Sequence, residues 1–244
     1  MTIPTLASLC LQADDALFLD FDGTLAEIGD DPAAIHLPAA TAARLCSLCT
    51  RLGGALAILS GRDLRDLSRR TPRAVWRLGG HGLETAAPGA DPPAMPPVAP
   101  PALLAALAPL RSVRGVRVED KGPVQAIHYR AAPHRAERCI RVARAAAAAL
   151  PDHVAQPGKM VVEVKPRRAN KGAALSAAME RAPFAGRRPI MIGDDATDED
   201  AMAAALALGG IAVKVGHGET QATMRAADPA AVRRWLAQAD RPTA

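Results

Sequence analysis

Aromatic side chains are scarce in this chain, which has three Phe, two Trp and one Tyr in 244 residues. That scarcity argues against a nucleic-acid platform built from stacked rings. It also means that bulk in the core has to come from Leu, Val and Ile packed between Ala-rich helices. Long apolar runs are missing too. The longest, such as residues 145–150 and 201–208, fall far short of the roughly 20 residues a membrane-crossing helix needs. The N-terminus has neither a basic region nor an unbroken apolar one, because Asp14 and Asp15 interrupt the only candidate. A secretory leader is therefore not expected, and the cytoplasm is the expected location. Four cysteines, Cys10, Cys46, Cys49 and Cys139, are too few for a disulfide scaffold. Cys46 and Cys49 form a CxxC, but they alternate with Leu45, Leu48 and Leu52 at helical spacing and have no second pair. They are expected to be core thiols, not metal or redox ligands.

The net charge of +5 is unevenly spread. Residues 91–165 hold eleven Lys or Arg against six Asp or Glu, while the rest of the chain balances at nineteen against nineteen. The middle segment thus carries all the excess. A solvated basic face would explain this, and so would a segment that closes over an anionic small molecule.

Apolar periodicity divides the chain. Residues 16–21 read as a buried strand, 37–52 as a helix stopped by Gly53 and Gly54, 55–59 as a second buried strand, and 63–70 as a helix. Strands alternating with helices imply a parallel sheet covered on both faces. Seven prolines in residues 88–101 mark a linker. Beyond it, strand-like segments at 115–118, 124–129 and 160–164 and helices at 102–110 and 133–150 suffice for a small α/β domain. After Pro166 the first pattern resumes, with helix 171–181, strand 189–192, helix 201–208, strand 211–215 and helix 229–239. The expected fold is therefore α/β: a doubly wound parallel sheet formed by residues 1–92 and 167–244, with a smaller α/β domain inserted at 93–166.

In such sheets ligands collect at the carboxyl ends of the strands. Those ends carry Asp20-Phe21-Asp22-Gly23-Thr24, Ser60-Gly61-Arg62 and Gly193-Asp194-Asp195-Ala196-Thr197-Asp198. Two Asp clusters brought together would repel unless a hard cation lay between them. Magnesium suits such a site, because it takes oxygen ligands and needs only a few carboxylates. Asp20 and Asp22 lie two apart at a strand end, where Gly23 allows a sharp turn. One can attack phosphorus while the other handles protons. Asn170-Lys171-Gly172 opens a helix, so Lys171 can join Ser60 and the metal in neutralising phosphate. Singly, each element has a bland reading as a turn, a cap or a solvated helix start. Together, in this order and each at a strand end or helix start, they point to phosphoryl chemistry.

These four elements resemble the motifs of the haloacid dehalogenase superfamily, with a cap domain inserted between the second and third. More narrowly the chain resembles the trehalose-6-phosphate phosphatases, through LDFDGTLAEI, AILSGR, GGHGLE at residues 79–84, HYR at 128–130, GKMVVEVKP at 158–166, NKG and GDDATDED. The resemblance implies a Mg2+-dependent phosphatase acting on trehalose 6-phosphate. It implies Asp20 as nucleophile and Asp22 as acid and then base. It implies magnesium held by Asp20, the Asp22 backbone carbonyl and Asp194, with Asp195 and Asp198 supporting them from behind, and Ser60 and Lys171 on the transferred phosphate.

The sugar would be gripped by Arg130, Lys159, Glu163 and Lys165 of the cap, with His81 and Glu84 facing it from the core. Glu163 and Lys165 alternate with Val161, Val162 and Val164, so both point to one face of a strand, which a merely wet face would also explain. For His128, packing and a sugar contact are both open. No nucleic-acid or membrane partner is implied; a trehalose-phosphate synthase is the candidate protein partner. The alternatives are a capped phosphatase of the sucrose-phosphate or mannosyl-phosphoglycerate type, which GKMVVEVKP disfavours, and a catalytically silent subunit of a trehalose-synthesis complex, which would need none of Asp20, Asp22, Lys171 and Asp194.

Overall fold

The computed structural model describes residues 3–29, 31, 34–158 and 160–240. It divides into two compact units, one comprising Met1–Pro92 with Asn170–Ala244 and the other Pro93–Ala169.

In the first unit, β1 (Asp15–Leu19), α1 (Ala39–Arg51), β2 (Leu56–Leu59), α2 (Leu64–Arg70), β3 (Trp76–Gly79) and β4 (Glu84–Ala86) precede the second unit. The second unit contains α3 (Pro101–Arg111), β5 (Arg117–Lys121), β6 (Val124–His128), α4 (Ala136–Ala148), β7 (His153–Gly158) and β8 (Val161–Pro166). The first unit then resumes with α5 (Lys171–Met179), β9 (Arg188–Gly193), α6 (Ala196–Ala207), β10 (Ile211–Val215), β11 (Met224–Ala226) and α7 (Pro229–Ala239).

Its seven strands run in the order β11-β10-β9-β1-β2-β3-β4. Every pairing is parallel except β3 with β4. The doubly wound parallel sheet expected from the strand–helix alternation is thus present. Its central strands are buried except at Arg188, which opens β9 half-buried, as a sheet covered on both faces requires. From β1 the chain winds outward through α1 to β2, whereas from β9 it winds the other way through α6 to β10. Right-handed crossovers therefore put α1 and α6 on opposite faces. α7 packs with α1, and α5 with α6. Phe18 stacks on Phe184 at 5.1 Å between ring centroids and Trp76 meets Phe184 edge-on at 5.8 Å, so half of the chain's few aromatics share one cluster.

The second unit is a four-stranded antiparallel sheet in the order β5-β6-β8-β7. α3 and α4 pack together, and Leu103, Leu107, Ile127, Val162 and Val164 belong to its core. Four strands escape the periodicity reading, β3 among them because Trp76–Gly79 is only four residues long and holds a buried Arg77. β4 and β11 are three residues each and partly polar, and β7 contains Pro157, which an edge strand tolerates because no ladder N–H is needed there. The thiols also differ from expectation: Cys49 and Cys139 are buried, but Cys46 is only half-buried. Among the described residues no helix is long and apolar enough to cross a membrane.

Asp15 explains why an acidic pair can precede a core strand. It is fully buried. Its carboxylate accepts from the Gln12 amide at 2.7 Å and from the Arg188 guanidinium at 2.8 and 3.1 Å, so it fixes β1 against β9 at their shared start. Asp15→Ala leaves those donors unanswered and should lower unfolding stability by about 2 kcal/mol in denaturant titration, with the slope unchanged.

Candidate active site

The strand order reverses at β1, where a doubly wound sheet opens a crevice beyond the carboxyl ends of its strands. Asp20 is the first residue past β1. Its amide donates to the Ile192 carbonyl of β9 at 2.9 Å, which sets its side chain beside the loop from Gly193 to Asp198. On the other flank Leu19 is in register with Ile58, so Ser60, just past β2, leaves the sheet at the same edge.

Lys171 ties these segments together. Asn170 caps α5 by accepting from the Ala173 amide at 2.9 Å, and Lys171 in the first turn reaches inward. Its Nζ donates to Asp20 Oδ1 at 2.7 Å and to Asp198 Oδ1 at 2.6 Å. All three side chains are almost wholly enclosed. Burial alone would lower the Lys171 pKa, but the Asp198 and Asp20 carboxylates outweigh it and hold the ammonium protonated.

Asp198 is fully engaged. Its Oδ2 accepts from the amides of Asp194 and Asp195, each at 3.0 Å, while the Asp195 carboxylate caps α6 in return. Asp194 is held differently. Its Oδ1 is buried with no hydrogen-bond donor among the described residues, and carboxylate oxygens of Asp20, Asp194 and Asp198 all lie within 4.8 Å of one another. Burial, then repulsion from Asp198, pushes Asp194 up to about 7. Burial and the Asp198 and Asp194 charges likewise raise Asp20, against the pull of Lys171. An undonated oxygen in a cluster of mutually repelling carboxylates is the donor set a hard divalent cation fits. Gly23, at φ +82°, is needed here because a Cβ on it would come within 2.3 Å of the Asp194 carboxylate.

Asp22 sits outside that trio. Its carboxylate is gripped side-on by Arg62, with Nε to Oδ2 at 2.6 Å and Nη2 to Oδ1 at 2.7 Å. Ser60 Oγ accepts from the Arg62 amide at 3.1 Å. His81 is buried in the left-handed region, at φ 59°. Its amide donates to the Ser60 carbonyl at 2.9 Å, and its ring abuts Gly61 so closely that a Cβ there would lie 2.8 Å from it. Glu84 opens β4 and is forked by Arg65, whose Nη1 reaches Oε1 at 2.8 Å while Nη2 reaches Oε2.

The other predicted residues belong to the second unit. Glu163 and Lys165 share one face of β8 but are 9% and 2% exposed, so theirs is not a wet face. Lys121 of β5 reaches Glu163 at 3.3 Å. His128 meets Glu119 at 2.7 Å on the same face. Arg130 is exposed, and Lys159 lies outside the described residues. Sequence reasoning gave no role to Arg62, although it was visible in the strand-end Ser60-Gly61-Arg62. It also missed Lys214, a buried lysine in β10 paired with Glu199 at 3.2 Å. A lone charge within the apolar run IAVKV was the available signal.

A family model described as trehalose-phosphatase matches residues 18–230. The trehalose-6-phosphate phosphatase of Escherichia coli is 37% identical over 243 residues, covering 97% of this chain and 90% of that protein. A probable trehalose-phosphate phosphatase of Sinorhizobium fredii is 42% identical over 216 residues, covering 86% and 82%. Among solved structures, the C-terminal domain of the Candida albicans trehalose-6-phosphate phosphatase superposes with a TM-score of 0.82 at 22% identity, over 93% of this chain and 92% of that one, and bears on the fold.

The geometry around Lys171 predicts a pH-dependent stability effect. Lys171→Met removes the cation shared by two buried carboxylates, a loss of about 3–5 kcal/mol for a broken buried pair. Asp20 and Asp194 have raised pKa values, so folding retains protons that the unfolded chain releases near pH 4, and their repulsion grows as pH rises toward 7. In chelator-treated protein the drop in Tm caused by Lys171→Met should therefore be larger at pH 8 than at pH 5.

Proposed function

The chain belongs to the trehalose-phosphatase family, whose members are phosphoric monoester hydrolases, and on that premise we propose that it hydrolyses trehalose 6-phosphate through a phosphate ester formed on Asp20. The observation that carries this reading is the enclosed Lys171, which neutralises Asp20 within 4.8 Å reach of Asp194 and Asp198 at the strand-order reversal.

In the proposed cycle an oxygen of Asp20 attacks phosphorus, the bond from phosphorus to the sugar oxygen breaks, and the departing oxygen takes a proton from the Asp22 carboxylic acid. Trehalose leaves. Water then attacks the same phosphorus and gives a proton to Asp22, the bond to Asp20 breaks, and inorganic phosphate departs with both carboxyl groups restored. Lys171 and Ser60 hold the transferred phosphate, Lys171 as a compact charge and Ser60 as a hydroxyl. Asp20, the Asp22 backbone carbonyl and Asp194 would hold Mg2+, with Asp195 and Asp198 bracing the loop behind them. When bound, the ion neutralises charge on the phosphate oxygens.

Recognition of the sugar is assigned to residues of the inserted unit, Arg130, Lys159, Glu163 and Lys165, with His81 and Glu84 from the first. Support comes from the burial of Glu163 and Lys165 and from the Arg65 fork that holds Glu84 still. The substrate is a product of glycosyl transfer to a hexose phosphate, so a trehalose-phosphate synthase is the enzyme that must supply it.

Phosphate release from trehalose 6-phosphate, sucrose 6-phosphate and glucose 6-phosphate, each with and without magnesium, tests the reading. Turnover should be confined largely to the first and depend on the metal, and Asp20→Asn should abolish it while substrate still binds. Normal turnover by that variant would end the nucleophile assignment. Glu163→Ala should raise KM for the disaccharide phosphate about ten- to hundredfold, as loss of a charged hydrogen bond does, and leave KM for a small aryl phosphate unchanged; equal effects on both would remove Glu163 from recognition.

A further inference from the structure

Asp22 is anchored far more firmly than a residue in a turn needs. Gly23 donates to the Ala26 carbonyl at 2.8 Å, which fixes the backbone of the turn, yet χ1 and χ2 of Asp22 would still be free to rotate. They are stopped by the Arg62 fork, which uses Nε and Nη2. The remaining terminal nitrogen, Nη1, donates to Asp66 Oδ2 at 2.7 Å. Asp66 is itself clamped by Arg70, whose Nε and Nη2 each donate at 2.8 Å. The guanidinium of Arg62 also lies over the Phe21 ring, 5.4 Å from its centroid. Its backbone is tied as well, the amide to Ser60 Oγ and the carbonyl to the Gly80 amide at 2.7 Å. A planar group pinned on two edges and one face has one orientation, and it passes that orientation to the carboxylate it grips.

We propose that Arg62 and Asp66 are positioning residues for the reaction, forming with Asp22 a carboxylate–guanidinium–carboxylate relay that aims the Asp22 carboxyl group at the reacting oxygen. The inference rests on the reading of Asp22 as the proton-transfer group. Proton transfer needs that group within hydrogen-bond reach and correctly directed. A side-on fork takes one lone pair from each carboxylate oxygen and leaves the others for substrate and water. Arg62 touches neither phosphorus nor the sugar oxygen in this scheme and acts through Asp22 alone. Asp66 acts one step further back.

The test compares two leaving groups in the full-length enzyme. A sugar alkoxide must be protonated as it departs, whereas a para-nitrophenolate leaves without help; hydrolysis of the ester on Asp20 needs the base in both cases. Arg62→Ala should cut kcat for trehalose 6-phosphate by roughly 10²-fold, the low end of what a positioned acid or base contributes, with KM within about threefold. On para-nitrophenyl phosphate the same variant should release a first equivalent of nitrophenolate at the unmodified rate and then turn over slowly. Arg62→Lys keeps the charge but loses the fork, and should be impaired as badly as Arg62→Ala. Asp66→Asn keeps the shape of the helix and should give the same pattern at about tenfold, which keeps the test open if Arg62→Ala unfolds. Full recovery in Arg62→Lys, an equal loss of the first-turnover rate on both substrates, or losses that track a lowered Tm would each overturn the proposal. Turnover by Asp20→Asn would instead sink the reading beneath it, and is measured in the same series.

Discussion

Two carboxylates and one ammonium, enclosed together where β1, β9, α5 and α6 converge, set the terms for this molecule. Removing an ionised group from water costs several kcal/mol even after relaxation, and here Asp194 adds a third carboxylate within 4.8 Å. One lysine cannot neutralise three acids, so the fold has to hold the remainder in place. It does so with rigid parts. Asp20 is fixed by a backbone bond to β9, Lys171 by the capped start of α5, and Asp198 by two backbone amides in the capping box of α6. Each end of a secondary element thus serves twice, as a solution to its own unpaired groups and as a mount for a charge.

The second consequence is steric. Side chains this close leave no room for a Cβ at Gly23, which faces the Asp194 carboxylate, or at Gly61, which faces the His81 ring. The glycines of Asp22-Gly23 and Ser60-Gly61 are therefore products of crowding around the site as much as of turn geometry. His81 itself has a left-handed backbone, between Gly80 and Gly82, which are also at positive φ.

The sheet and its winding were legible because the strands that form its centre are continuous apolar runs, whose only neighbours can be helices. Lys171 and the Asp clusters were legible because strand ends and helix starts are where a doubly wound sheet gathers ligands. What stayed hidden was pairing at a distance. Nothing in the residues near Asp22 says that Arg62, forty positions on, will hold it, nor that Arg65 will fork Glu84. Arg62 precedes α2 and Arg65 lies in its first turn, and periodicity reports which side of a helix faces the core, not which carboxylate lies opposite. The wet-face reading of Glu163 and Lys165 failed for a related reason: alternation along β8 shows that they share a face, but not what buries it. β7 and β11 were lost to short length and to Pro157, features that a sheet edge permits and a propensity rule penalises.

The difference between the two cations at the site follows from what the proposed chemistry asks of each acid. A nucleophile has to approach phosphorus and carry a new bond, so its partner should supply charge without dictating direction; an ammonium on a flexible stem does this, and Lys171 touches Asp20 through a single oxygen. A proton-transfer group must instead meet two different oxygens in turn, from one side, without wandering between steps. A planar fork that takes both oxygens at 2.6 and 2.7 Å fixes direction as well as charge. Exchanging the two cations would leave the net charge of the site unaltered. It would give the attacking carboxylate a rigid orientation it has to abandon and the proton carrier a freedom it cannot use, so the distribution of Lys and Arg between Asp20 and Asp22 is itself part of the proposed mechanism.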